Sequence, residues 1–362
     1  MGFVDIVCSP VVALSSAAFC VSFIACSAGA PVTAEAVPIA GGTDAGVVED
    51  EASQRTSTPP SPDDDPPSPA KAELGRLLFF DPILSGDRDV ACATCHDPKK
   101  GWADALATSI GTGGAATTRN ALTILDTAWN GRTATTARPD PRQAPMFWDN
   151  RMRSLEEQAR GPIVTENEMR GTTFAEDAIF PELVARLGEI PEYVTKFEAA
   201  FGSPAIDDKR IVQALATFER TLVTTPSFDR GTNALSAQAR RGQAAFRGSG
   251  CEACHSGKSF SDYALHRFER GAEAVRTPSL RNVMRTAPYM HDGRARTLDA
   301  VFEIYRTVDR AADPRLRGVR VPDAAGREDI AAFLQALSDG DVDRSVPDAV
   351  PSGLTPGGEA RP

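Results

Sequence analysis

Two five-residue stretches, Cys92-Ala93-Thr94-Cys95-His96 and Cys251-Glu252-Ala253-Cys254-His255, hold four of the seven cysteines and two of the four histidines. Cysteines at i and i+3 reach the two vinyl groups of one haem as thioethers, and the adjacent histidine then offers its imidazole to the iron. Two copies predict two covalent haem c groups, with His96 and His255 as proximal ligands. A zinc site built from paired CxxC motifs is the alternative, but such pairs lie ~15–20 residues apart and these are much further apart. A thioredoxin-like redox pair would need a βαβ surrounding, which neither copy has. The remaining cysteines, Cys8, Cys20 and Cys26, all precede residue 31, so the body keeps none for a disulfide.

Only His266 and His291 are left as further imidazoles. A pure electron carrier would saturate both irons with His or Met. Residues 101–125, which follow the first motif, contain neither, so the first iron is offered no local sixth ligand. An iron open on one side binds a small oxidant.

These groups need a scaffold. The chain has 362 residues, 41% of them apolar, enough for one or two packed cores. Residues 1–30 carry an apolar run ending in small residues and read as a secretory signal. Cleavage falls after Ala28-Gly29-Ala30, or before Cys26 in a lipoprotein reading that would leave a lipid anchor; a single membrane-crossing helix is the third reading. Residues 31–67, rich in Pro, Ser, Thr and acid, read as a disordered linker. Through residue 70 there are nine acids against Arg55, leaving 40 acids and 38 bases beyond it. That near-balance argues against a nucleic-acid partner.

From residue 68 the pattern is mainly α. Ser68-Pro69 opens a helix with Leu74, Leu77 and Leu78 on one face, and Ser154 to Glu157 fits a capping box. Ile211, Leu215, Phe218 and Leu222 recur at helical spacing; so do Leu298, Val301, Phe302 and Tyr305 after a Thr297 cap, and Ile330, Phe333, Leu334 and Leu337. Residues 97–147 read as ordered loops of the kind that wrap a site.

With these motifs in place, LGRLLFFDPILSGDRDVACATCHDP, RNALTILDTAWN, MFWDNRMRSLEEQARGPIVTENEM, ALATFERTLV, CEACHSGKSFSD and RTPSLRNVMRTAPYMHDGRARTLDAVFEIY resemble, in order, the dihaem cytochrome c peroxidase family, which includes MauG-type proteins. The resemblance runs from about residue 70 to 340. It implies two cytochrome c-like helical domains, placed at 68–230 (peroxidatic haem) and 231–345 (electron-transfer haem), with one calcium ion between them; residues 346–362 are expected as a disordered tail. Trp148 matches the tryptophan between the haems, and Glu168 the distal acid of the peroxide pocket, with Gln158 and Pro162 its neighbours. Asn120, Thr286 and Pro288 match the calcium ligands, the last two through backbone carbonyls. Peroxide is then the substrate at the iron opposite His96, with Glu168 moving a proton during O–O cleavage and Gln158 holding the peroxide.

Two departures bear on subtype. Where many bacterial peroxidases have a loop histidine that caps the first iron, this chain has Thr112 in Ile110-Gly111-Thr112-Gly113. Fourteen residues after His291, where those enzymes place an axial methionine, stands Tyr305, as in MauG-type proteins; Met284 and Met290 are the alternatives. The expected function is a periplasmic or lipid-tethered dihaem peroxidase, MauG-like, oxidising a secreted protein partner. The alternatives are a peroxide-scavenging cytochrome c peroxidase fed by a small redox protein, and a dihaem electron-transfer protein without catalysis.

Overall fold

Helices begin where the sequence supplies a side chain for their unsatisfied N–H groups. In α1 (Pro69–Phe80) Ser68 Oγ accepts from Lys71 N at 3.1 Å, with Pro69 in the first turn. Ahead of α3 (Leu155–Val164) Ser154 Oγ accepts from Glu157 N at 3.1 Å, while the Glu157 carboxylate reaches past the cap to Arg153 N at 2.8 Å. Thr297 caps α8 (Leu298–Thr307) through Ala300 N. The remaining helices are α2 (Cys92–Cys95), α4 (Ile179–Gly188), α5 (Pro191–Phe201), α6 (Asp208–Glu219), α7 (Ala237–Gly248) and α9 (Ala324–Ala336). Strand structure among the described residues is one antiparallel pair, β1 (Leu265–His266) with β2 (Val275–Arg276). The fold is mainly α.

This computed structural model describes residues 58–358. The signal and lipoprotein readings of residues 1–30, including Cys26, lie outside the described residues, as do 31–57 of the expected linker and the last four residues. Among the described residues no helix is long and apolar enough to cross a membrane.

One helix crossing occurs twice. Where α1 meets α6, a Cβ on Gly75 would lie 1.9 Å from Ala214 O and 2.9 Å from Phe218 Cβ; where α7 meets α9, a Cβ on Gly242 would lie 1.8 Å from Asp329 O and 2.9 Å from Phe333 Cβ. Only glycine lets the backbones approach this closely. Four residues after each glycine, one turn along the same helix face, comes a phenylalanine, and its ring lies 6.5 Å from the histidine of the nearest CxxCH: Phe79 with His96, Phe246 with His255. Each crossing anchors its own apolar cluster. The first includes Leu74, Leu78, Trp102, Leu215 and Phe218, the second Ile330, Phe333 and Leu334.

Two expectations are corrected. Residues 346–362 were expected as a disordered tail, but 346–358 are packed. Val350 is buried in the first cluster, Ser352 Oγ donates to Asp81 Oδ1 at 2.6 Å, and Gly357 bonds Phe80 O through its N–H and Thr94 Oγ1 through its carbonyl. The last contact ties the C-terminal segment to α2 itself. At the other end, residues 58–67 belong to the fold rather than to the linker: Asp65 is buried against Lys71 Nζ at 2.6 Å, and Pro60 O accepts from Arg220 Nε. Proline-rich composition suppresses regular structure, but proline carbonyls still accept hydrogen bonds from a buried guanidinium.

Candidate functional site

Each CxxCH motif lines its own cavity. Cys92, Cys95 and His96 face the first, Cys251, Cys254 and His255 the second. His96 Nδ1 lies 3.2 Å from Trp102 O and His255 Nδ1 lies 3.0 Å from Phe260 O. An Nδ1–H donated to a carbonyl fixes the tautomer and leaves Nε2 as the ring atom able to hold a metal. Burial lowers the pKa of both rings, keeping them in the neutral form that ligates. Two thiols and one oriented imidazole converging on a largely apolar cavity fit a covalent haem at both sites.

Trp148 faces both cavities and is 8% exposed. Its Nε1 donates to Asn120 O at 2.9 Å, and Asn120 also lines both cavities. The Asn120 peptide N–H is bound by His291 O at 2.9 Å and its amide nitrogen donates to Leu106 O at 2.8 Å, so the amide oxygen is the atom it has to offer a cation. Thr286 and Pro288 line the second cavity.

On the first cavity, Gln158 and Pro162 come from α3 and Glu168 from a π-helical turn, Glu166–Arg170, that directly follows. Such turns widen the backbone spacing and recur at functional sites. Burial raises the Glu168 pKa, with Arg151 pulling the other way. The Gly111 loop lies flat on this turn: a Cβ there would meet Asn167 O at 2.3 Å and Glu168 O at 2.5 Å. Thr112 is turned away from the cavity. It is 3% exposed, donates through Oγ1 to Asp89 Oδ1 at 2.6 Å, and the next residue, Gly113, donates its N–H to Asp89 Oδ2 at 2.8 Å. Met146 and Met169 also border the first cavity, unforeseen from sequence; the Met146 sulfur accepts from Asn130 Nδ2, and Met169 is buried in the first cluster.

In the second cavity Tyr305 projects from α8, with Phe268 5.5 Å from its ring. Burial first, and then the nearby Cys251 and Cys254, push its phenol above the usual tyrosine range. Of the two methionine alternatives, Met290 borders this cavity, whereas Met284 packs on the second apolar cluster. His291 faces the cavity too, its ring 6.3 Å from that of Trp148 and its Nδ1 buried without a hydrogen-bond partner. His266 lies between two acids, Nδ1 2.7 Å from Asp313 and Nε2 3.0 Å from Asp262; Asp262 first, then the neighbouring Cys254 sulfur and Asp313, lift its pKa to about 10.

Three further groups at the cavities escaped the sequence reading. Glu219 borders the first cavity; burial lifts its carboxyl to about 8, and Oε2 has no partner. Arg276 and Arg281 border both cavities. Glu219 is the glutamate of the quoted ALATFERTLV stretch, and its helical position among apolar neighbours was the available signal. Arg276 and Arg281 both lie in the quoted stretch beginning RTPSLRN, but nothing in their spacing marks them as facing a cavity.

Residues 69–237 match the family described as di-haem cytochrome c peroxidase. The methylamine utilization protein MauG of Methylorubrum extorquens is 35% identical over 311 residues, covering 78% of this chain and 82% of that protein. The cytochrome c551 peroxidase of Pseudomonas aeruginosa is 36% identical over 306 residues, covering 75% and 80%. Among solved structures, a MauG-like protein associated with microbial copper homeostasis superposes with a TM-score of 0.67 at 27% identity, covering 78% of this chain and 93% of that one.

Proposed function

Because the chain belongs to the di-haem cytochrome c peroxidase family, and is therefore a haem peroxidase, we propose that it uses hydrogen peroxide at the His96 site and oxidises a secreted protein partner in the MauG manner. The observation that carries the peroxide half is the first cavity's composition: Glu168 and Gln158 face it, while Thr112 is held away by Asp89. Haem bound there supplies the iron-centred redox chemistry. Glu168, whose pKa is raised by burial, carries a proton between the two peroxide oxygens; the Gln158 amide orients the peroxide, and Pro162 closes the wall without adding a competing donor.

Tyr305 supports the MauG-like subtype. A phenolate is a hard anionic donor and holds an iron at lower potential than a thioether does, which suits storage of oxidising equivalents over fast turnover with a small donor. Trp148 is the proposed route between the two cavities. Asn120, Thr286 and Pro288 are proposed to hold one calcium ion through neutral oxygens. The region before residue 31 supports export to the periplasm, with lipidation of Cys26 as the tethered form. Residues 68–230 and 231–345 are the proposed haem domains.

Redox titration of wild type and Tyr305→Met tests the subtype: the second haem's midpoint should rise in the variant, and equal midpoints would remove Tyr305 as a ligand. The 36% identity to a cytochrome c551 peroxidase supports peroxide scavenging fed by a cytochrome or cupredoxin as the second reading. Steady-state turnover with a reduced small redox protein would favour it.

A further inference from the structure

Arg276 differs from three other buried arginines in what it lacks. Arg186, Arg220 and Arg281 each face a carboxylate, from Glu182, Glu156 and Asp229. Arg276 is as buried, at 5% exposed, and has no ion pair among the described residues. Its Nε donates to Phe147 O at 2.8 Å and one Nη to Pro145 O at 3.3 Å; its peptide N–H donates to Trp148 O at 2.6 Å. The Tyr263 ring lies 5.6 Å from the guanidinium carbon. A guanidinium carries five N–H groups, and two of them are accounted for. Removing a cation from water is costly, and burial draws the Arg276 pKa down to about 10, only partly offset by the Tyr263 phenol and the more distant Asp149 carboxylate, neither of which engages its remaining N–H groups. The countercharge belongs in the cavities, because both open onto this side chain at the stretch that carries Trp148.

We propose that Arg276 is the anion clamp at the junction of the two cavities, binding a haem carboxylate from each side with its remaining N–H groups while its bonds to residues 145–148 hold Trp148 between them. Planar, forked N–H geometry suits bidentate carboxylates. The proposal rests on the reading of both cavities as haem sites. It makes Arg276 a positioning residue with an electrostatic consequence: a cation shared by two haems favours the reduced state of each, so its loss lowers both potentials together.

The test uses the full holoprotein. Haem content is measured first; a wild-type chain without two haems refutes the underlying reading and not the clamp. With two haems present, spectroelectrochemical titration of Arg276→Met should show both midpoints shifted downward, and Arg276→Lys, which keeps the charge, should recover most of the shift. Arg186→Met is the control, because Arg186 also donates to buried backbone carbonyls and borders neither cavity; it should lose stability with both midpoints unchanged. Wild-type midpoints in Arg276→Met overturn the proposal, and a shift at one haem alone overturns the bridging. Should the Met variant fail to assemble, resonance Raman of Arg276→Lys replaces it: shifted propionate bending bands at both haems are expected, and unchanged bands overturn the clamp.

Discussion

Gly75→Ala and Gly242→Ala probe whether each haem depends on its own helix crossing. In an ordinary exposed helix Gly→Ala is stabilising by roughly 0.5–1 kcal/mol. Here the added Cβ would sit 1.9 Å from Ala214 O in one case and 1.8 Å from Asp329 O in the other, where real Cβ atoms essentially never come under 3.0 Å. The obstacle is helical backbone, which no rotamer change relieves, so the helices must part by more than about 1 Å. Overpacking of that kind costs about 3 kcal/mol, opposite in sign to the helix-propensity effect, and lowers the melting temperature of a body of this size by ~2–4 °C per kcal/mol. The displaced residue in each pair carries the phenylalanine that faces the proximal histidine through its helix, so the loss should be local. Haem stoichiometry by pyridine haemochrome, thermal unfolding and EPR together read this out: Gly75→Ala should weaken the His96 site and Gly242→Ala the His255 site, each leaving the other's spectrum in place. Unchanged or raised melting temperatures, or equal loss of both haems in both variants, would refute the reasoning.

Replacing Cys251 and Cys254 together with Ala should halve haem staining of the denatured chain, and undiminished staining would exclude covalent attachment at the second motif. Glu168→Gln should slow the peroxide reaction in stopped-flow by roughly the 10²–10⁴-fold typical of a lost general acid/base with both haem spectra intact; a wild-type rate would take Glu168 out of the chemistry. Glu219, with a folded pKa of about 8 against an ordinary 4.5, binds a proton in the folded state that the unfolded chain has released, so its effect is to weaken stability as pH rises across that window. Glu219→Gln should match wild type below the window and exceed it at pH 8.5 by on the order of 4 kcal/mol, at 1.36 kcal/mol per pKa unit; equal urea midpoints at both pH values would mean the carboxyl has a partner.

The attachment chemistry and the helix starts were legible because they are local. CxxCH places two thiols and an imidazole within five residues, and Ser68, Ser154 and Thr297 cap helices through N–H groups three residues on. The resemblance singled out Trp148, Gln158, Pro162 and Glu168, and all four border the first cavity; their roles there are a proposal. What escaped were pairings without sequence proximity. Ser352 meets Asp81 across 271 residues, and nothing in a segment rich in Pro and Gly announces that its partner is the end of α1.

By itself, then, the sequence determined the two CxxCH motifs, matching a di-haem family, and the mainly helical class, since each depends on side-chain type at fixed spacing along one segment. Tertiary structure alone decided that Trp148 faces both cavities, that Asp89 holds Thr112 aside, that residues 346–358 return to the first motif, and that Arg276 is buried with no ion pair among the described residues. Those outcomes depend on which surfaces exclude water together, and an unpaired buried charge exists only once the chain has closed around it.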